Sequence, residues 1–380
     1  MKKIVIIPDS FKGTMSSKEV GEIIMEEAKK SYPEAEVIRA EVADGGEGSV
    51  EALLSVLPGK RKFVTVSGPY REAVQACYGK IGDTAVIEMA AAAGLPLVGT
   101  RLAAGATTTY GVGELIADAL EQGAKRIILG LGGSATNDGG AGMAAALGVR
   151  FSDAEGKEFV PVGDTLGDID KIELEGVDER LKTVQIIAMC DVSNPLCGSR
   201  GASAVFGPQK GASAEDVKRL DRGLFHLAEK IAEAGGREVL ELPGGGAAGG
   251  MGAGAVAFLR AELRSGIDVV LETIHFDEML EGCSLVITGE GKVDGQSVQG
   301  KVISGVAKEA AKKQVPVAVV TGAIEDGAEA LYEIGVDAIF SINQKPLPFE
   351  AILHRTKADL RKTARNIFQF AKMVEKISSR

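Results

Sequence analysis

The sequence predicts an α/β protein of two α/β domains: a Rossmann-like, three-layer domain interrupted by a second, mixed-sheet domain, with the active site in the cleft between them. Three observations predict it. Strand-like apolar runs alternate with amphipathic stretches at both ends of the chain, over residues 1–70 and 285–380. Residues 71–284 have a different texture, with consecutive strand-like runs and glycine-rich loops. Polar loops follow the strands, where a parallel sheet presents its ligand edge. A length of 380 residues allows two or three cores of ordinary size.

The elements follow in order. Residues 3–8 form a short strand that Pro8 ends, before the polar loop from Asp9 and Ser10 through Lys12. A helix starts at Ser16, where Ser16 and Glu19 make a capping-box pattern and Val20, Ile23, Ile24 and Ala28 recur on one face. Residues 36–42 alternate as a strand, the loop Asp44-Gly45-Gly46-Glu47-Gly48 follows, and residues 49–57 are helical. Past Pro58, residues 62–67, 74–82 and 84–88 read as strands joined by short turns, followed by helices over 90–93 and 112–122.

A buried strand is expected at 127–131 and a small-residue helix at 142–147, whereas the acidic stretch 153–181 has periodicity too weak to assign. The apolar run 183–189 ends in a loop carrying Asp191 and Asn194, and 215–234 is an amphipathic helix. GGGAAGGMGAG at 244–254 is a glycine loop, either a flexible linker or a phosphate cradle, feeding a helix over 255–264. Strand 284–288 then leads to a loop, 289–296, with Glu290, Lys292 and Asp294. Regular alternation resumes with helix 302–313, strand 315–320, the turn Thr321-Gly322, helix 327–334 and strand 336–342. A final helix carries Lys357, Arg361, Lys362 and Arg365 on one solvated face.

Composition narrows the function. Hydrophobic residues at 45% and charged residues at 25% are those of a globular protein, and 50 glycines make the loops numerous. A net charge of −10 without basic clusters argues against nucleic acid as a partner. No segment approaches the ~18 uninterrupted apolar residues of a membrane span, and the N-terminal apolar run is too short for a signal peptide. Cys77, Cys190, Cys197 and Cys283 lack zinc-ribbon spacing and read as idle thiols of a reducing, cytoplasmic compartment. His226, His275 and His354 lie away from the polar loops, so a catalytic histidine is not expected.

The stretch 125–148 carries the chemistry. After its strand come Gly132, Gly133, Ser134, Thr136, Asn137, Asp138, Gly139 and Gly140. Glycines let consecutive amides turn toward one anion, and a helix N-terminus behind them adds its dipole. The bland alternative is a tight turn that binds nothing. Asp138 favours a reaction, because a carboxylate among such amides repels an anion unless it holds a metal or takes a proton. With Asp9, Asp44, Asp191 and Glu290 also following strands, phosphoryl transfer is the reaction that uses this set: amides for phosphates, carboxylates for Mg²⁺, a base for the acceptor hydroxyl, and a lysine for the moving group. There is neither a G-x-x-x-x-G-K-[ST] loop nor an H-R-D or D-F-G set.

Seven blocks in order, PDSFKGTMSS (8–17), ADGGEGS (43–49), GLGGSATNDGGAG (130–142), CDVSNPLCG (190–198), FGPQKGA (206–212), GGGAAGGMGAG (244–254) and TGEGKVDGQS (288–297), span nearly the whole chain and resemble the type-1 glycerate kinase family. That resemblance implies ATP-dependent phosphorylation of D-glycerate at its 2-hydroxyl, giving 2-phosphoglycerate. GLGGSAT is also similar to the Gly-Leu-x-Ser-Ser-Ala loop of another small-molecule kinase superfamily, but the leading proline is missing and the second serine is replaced. A sensor that binds a sugar acid or nucleotide without turnover would need the anion loops but not the carboxylates.

Within the kinase reading, Asp191 or Asp44 is the expected base. Glu290 and Asp294 hold Mg²⁺, and Lys12 and Lys292 neutralise the glycerate carboxylate and the moving phosphoryl group. Gly132, Gly133, Ser134, Asp138, Gly139 and Gly140 form the ATP phosphate site; Asp9, Ser10, Lys12 and Asn194 contact the substrate. Small-molecule substrates, no membrane and no nucleic acid are the expected partners, and a homo-oligomer is compatible with the sequence.

Overall fold

The computed structural model describes residues 1–42, 48–295, 297–298, 302–345 and 348–378. Its strands, in chain order, are β1 (Lys3–Ile6), β2 (Glu36–Arg39), β3 (Lys60–Ser67), β4 (Ala73–Ile81), β5 (Thr84–Glu88), β6 (Arg126–Gly130), β7 (Arg150–Ser152), β8 (Glu158–Phe159), β9 (Lys171–Glu173), β10 (Gln185–Met189), β11 (Glu262–Arg264), β12 (Leu285–Val293), β13 (Val317–Ile324) and β14 (Ala338–Ser341). The chain divides into two units. One comprises Met1–Asp44, Glu51–Leu57 and Ile267–Arg380; the other comprises Gly45–Val50 and Pro58–Gly266.

In the first unit every strand pair is parallel, in the order β14-β13-β12-β1-β2. Counted within this unit the order is 2-1-3-4-5, a doubly wound sheet whose direction of winding reverses between β1 and β12. Ile4, Ile6, Ile287 and Val320 bury one face against Val20, Ile23 and Ile24 of the helix Ser17–Ser31 and Leu360, Ile367 and Phe368 of the helix Thr356–Ser378. Each such fully buried aliphatic side chain contributes about 1.5–3 kcal/mol. The helix Val302–Lys312 packs on β12 and β13. Its Gly305 is needed for close approach, because a Cβ there would stand 2.7 Å from Ile267 Cγ1.

The first long helix begins as expected: Ser16 Oγ accepts the Glu19 amide at 3.2 Å, and Glu19 Oε2 accepts the Ser16 amide at 3.0 Å. The basic stripe of the last helix does not face solvent alone. Lys357 pairs with Glu19 at 2.6 Å, Arg361 with Glu26 and Glu27 at 2.5 and 3.2 Å, and Arg365 with Glu27 at 3.2 Å. The stripe thus ties the last helix to the first.

The second unit holds a six-stranded sheet, β11-β10-β6-β5-β4-β3, with β11, β10, β6 and β5 parallel and the β5-β4-β3 meander antiparallel. β3 pairs with β4 along its whole length, and the second unit's long segment runs Pro58–Gly266, against the 71–284 expected; Ile267, in the helix Gly266–Thr273, reopens the first unit. The unassigned acidic stretch supplies β8 and β9, which flank β7 in a small antiparallel sheet, with 3-10 turns at Gly163–Asp168 and Glu179–Lys182. The glycine-rich 244–254 segment is not a linker. It feeds straight into a helix, Ala247–Leu259, kinked by left-handed backbone at Ala248, Gly249 and Gly250, and β11 occupies residues expected to be helical. Among the described residues no helix is long and apolar enough to cross a membrane.

Candidate active site

Within the first unit the loops at the reversal point lie side by side. The Asp9 amide donates to the Gly289 carbonyl at 2.8 Å, the Ile7 amide to Ile287 at 2.9 Å, and Thr288 Oγ1 to the Ile7 carbonyl at 2.8 Å. The Asp9-to-Lys12 segment therefore runs along β12, and a Cβ on Gly291 would come within 3.3 Å of Phe11 Cα. β12 continues through Val293, because β13 pairs with it as far as Ile324; residues 289–293 and Thr321-Gly322 are strand where turns were expected.

Glu290 is thus fixed on a strand. It is buried, and its carboxylate accepts the Ser297 hydroxyl at 2.6 Å. Lys292 is exposed and bridges Asp294 and Glu325, each at 3.1 Å; those bonds, Glu325 first, raise its pKa. Asp9 Oδ1 accepts the Ser10 amide at 2.6 Å. Asp9, Ser10, Lys12, Glu290, Lys292 and Asp294 thus share one sheet edge. Asp44 lies outside the described residues.

The second unit gathers the other loops. β6 and β10 are parallel neighbours, with Gly130 opposite Met189, so residues 131–140 and the loop with Asp191 and Asn194 leave the same edge. Asp191 is exposed, and its Oδ1 accepts the Gly266 amide at 2.9 Å; Asn194 Nδ2 donates to the Arg200 carbonyl at 2.7 Å.

The loop after β6 is pinned by its carbonyls and by its alanine amide. Leu95 donates to the Gly133 carbonyl at 2.9 Å and Ala135 donates to the Ala93 carbonyl at 2.8 Å. The amides of Gly132, Gly133 and Ser134 make no hydrogen bond to any described residue. Gly133 has φ +74°, a left-handed turn of the kind that aims successive amides at an anion.

Asp138 faces inward. Its carboxylate is fully buried and accepts the Thr109 amide (2.7 Å), Thr109 Oγ1 (2.8 Å), the Gly140 amide (3.2 Å) and the Gly142 amide (3.3 Å). Burial pushes its pKa above the ordinary carboxylate value, and these four donors oppose that shift. Asp138 thereby shapes the loop and caps the helix Ala141–Ala146. Gly139 and Gly140, at φ +62° and +75°, make that turn, and the Gly139 amide bonds the Gly249 carbonyl at 3.0 Å. A Cβ on Gly254 would meet the Gly139 carbonyl at 2.3 Å, so the second glycine-rich segment is glycine-rich because it packs backbone to backbone on the first.

One residue escaped the sequence reading. Lys210, from the block FGPQKGA, is only 2% exposed, and its Nζ donates to Ser134 Oγ and to the Thr136 carbonyl, each at 2.7 Å. Burial pulls its pKa down to about 7, against the charge of Asp138. The available signal is that Lys210 is the sole charged residue between Arg200 and Glu215. The four cysteines are free thiols, and burial pushes the Cys197 thiol up to about 12, too high for a nucleophile at neutral pH.

Among the described residues no three His, Cys, Asp or Glu side chains cluster as a metal cage. Mg²⁺ needs none, since it is commonly held by one or two carboxylates, water and substrate phosphates. The Glu290 and Asp294 pair fits that donor set.

Comparison with known proteins agrees with this architecture. The profile of the Glycerate kinase family matches residues 4–372. The chain is 48% identical over 343 residues, 90% of each chain, to a protein named glycerate 2-kinase from Escherichia coli strain K12. It is 45% identical over 376 residues, 98% of each, to a glycerate kinase from Bacillus subtilis strain 168. A crystal structure described as a candidate glycerate kinase 2 from Salmonella typhimurium LT2 superposes with a TM-score of 0.88 at 44% identity, covering 99% of both chains. With its doubly wound sheet, its anion-suited loop and these relatives, the chain is an enzyme that belongs to the glycerate kinase family.

Proposed function

We propose that this enzyme transfers the γ-phosphoryl group of ATP to the 2-hydroxyl of D-glycerate, with Mg²⁺, to give 2-phosphoglycerate. The observation that carries this reading is the likeness, over 90% of both chains, to the Escherichia coli protein named glycerate 2-kinase. The amides of Gly132, Gly133 and Ser134, which bond no described residue, support it, as donors suited to phosphate oxygens. Bound Mg²⁺ supplies charge neutralisation on the donor phosphates.

The chain's own residues divide the remaining work. Asp138 keeps the loop in its turn, and Gly139 and Gly140 let the helix behind it approach. Glu290 and Asp294 are the carboxylates for the metal. Lys12 and Lys292 meet the glycerate carboxylate and the transferred group, with Asp9, Ser10 and Asn194 contacting glycerate. Asp191 or Asp44 takes the hydroxyl proton. The reaction runs in the cytoplasm, in keeping with four free thiols.

The test is a coupled ADP-release assay with D-glycerate, with and without Mg²⁺, followed by phosphorus NMR of the product. ADP release that requires both glycerate and Mg²⁺, with the phosphate on carbon 2, is expected. Phosphate on carbon 3 overturns the regiochemistry, and nucleotide binding without ADP release overturns the kinase reading.

A further inference from the structure

We propose that Lys210 is a positioning residue of the anion loop: from behind Ser134 and Thr136, its ammonium turns the Ser134 hydroxyl proton toward a bound phosphate and supplies the positive charge that phosphate meets. This rests on the reading above, in which residues 132–134 take nucleotide phosphates.

The geometry is built for that task. Lys210 ends the 3-10 turn Pro208–Lys210, and Gly211, at φ +90°, breaks the chain away behind it. The Lys210 amide donates to the Gly207 carbonyl at 2.9 Å and its carbonyl accepts the Ala104 amide at 3.1 Å, so both sides of the backbone are anchored. The side chain is delivered inward with little freedom. Lysine is almost never fully buried unless paired, and a neutral or apolar residue would brace a loop without burying a charge.

An ammonium has three donors and no acceptor. Two of the donors reach Ser134 Oγ and the Thr136 carbonyl. Ser134 Oγ must then accept from Lys210, and its own proton is left for a third group. The amides of Gly132, Gly133 and Ser134 are likewise unengaged among the described residues. Thr136 Oγ1, fully buried beside them, has no hydrogen-bond partner among the described residues, a second sign that the cluster is incomplete without a ligand.

Asp138 is the charged group whose field reaches Lys210, and its oxygens are already taken by Thr109, Gly140 and Gly142. It favours the ammonium at a distance without neutralising it by contact. Near neutral pH the free side chain is about half protonated, and an arriving phosphate completes the protonation. In the neutral form the amine lone pair can take the Ser134 proton instead, and the outward donor is lost.

The sign follows. Above pH ~7 phosphate binding must import a proton, so affinity falls with rising pH by up to about tenfold per unit. ADP is the probe, titrated calorimetrically into the full chain between pH 7.5 and 9, above the second phosphate ionisation at about 6, in two buffers of different ionisation enthalpy. The wild type should lose affinity across that range and take up a proton. K210M should bind ADP about tenfold more weakly at pH 7.5 and lose the pH dependence, with D-glycerate affinity unchanged. S134A, which leaves the lysine in place, should weaken ADP comparably and keep the proton uptake. Wild-type ADP affinity and slope in K210M overturn the proposal, as does wild-type ADP affinity in S134A should K210M not fold, or a wild type that takes up no proton. A wild type that binds glycerate but no ADP defeats the nucleotide reading itself, and this inference with it.

Discussion

A Cβ on Gly249 would stand 1.9 Å from the carbonyl oxygen of Thr136. Two backbones therefore touch where the loop after β6 turns into its helix, and glycine is the residue that allows it. Gly249 also has φ +71°, a region that a Cβ disfavours on its own. Gly249→Ala is expected to cost about 2–4 kcal/mol, from the clash and the strain together. Gly123→Ala, at φ +79° with open space around its Cβ, isolates the strain at about 1–2 kcal/mol. Urea midpoints for the two variants check this, and equal losses would remove the packing argument.

The Asp138 carboxylate faces donors only. Asn at that position presents an NH₂ to amide and hydroxyl protons, leaving at least one buried donor without an acceptor. Asp138→Asn should lower stability by about 1–3 kcal/mol. ADP affinity should fall with it, because the loop loses its turn. Unchanged urea midpoint and ADP affinity would show that the carboxylate does not organise the loop.

Asp191 permits a cleaner substitution. Its Oδ1 accepts the Gly266 amide, and an asparagine oxygen can do the same, so Asp191→Asn should keep the fold. If Asp191 is the base, turnover drops by roughly 10²–10⁴. Near wild-type turnover eliminates it and leaves Asp44 as the candidate.

Glu27 gives the molecule an acid limit. It is 1% exposed and accepts Lys30 Nζ at 2.8 Å, Arg365 Nε at 3.2 Å and Arg361 Nη1 at 3.2 Å. Burial alone would raise its pKa, but these hydrogen bonds outweigh it and hold the value down to about 2, against an ordinary 4.5. A carboxylate depressed in the folded state stabilises above its unfolded pKa, and that contribution is lost as pH falls from 4.5 toward 2. Between pH 5 and pH 3 the urea midpoint of Glu27→Gln should fall less than that of the wild type. Parallel declines would show that the cluster does not set the acid response.

Much of this was legible in the residues. The Ser16 and Glu19 pattern marks a helix start that the structure reproduces bond for bond, and long periodic helices such as Ala214–Glu233 are evident from their spacing. What escaped had a weak or misleading local signal. Strands of two or three residues, such as β8 and β9, are too short to show alternation. The 244–254 run looks like a loop because packing against another backbone demands the same glycines a turn does. β12 outruns its apolar core because a neighbouring strand, absent from local sequence, holds Glu290 in register with Thr321. Lys210 reads as an ordinary surface lysine until the fold carries it beneath Ser134, which is 76 positions away.

β12 is the first unit's central strand; its neighbour β1 also pairs with β2, close by in sequence, yet the bond from Thr288 Oγ1 to the Ile7 carbonyl spans 281 positions. The contiguous span from Pro58 to Gly266 can complete its own sheet during synthesis, whereas β1 lacks its β12 neighbour until that span has been made. Premature release before β12 would thus strand an apolar β edge on β1, so chaperone dependence should track loss of β12 more closely than changes in the loop after β6.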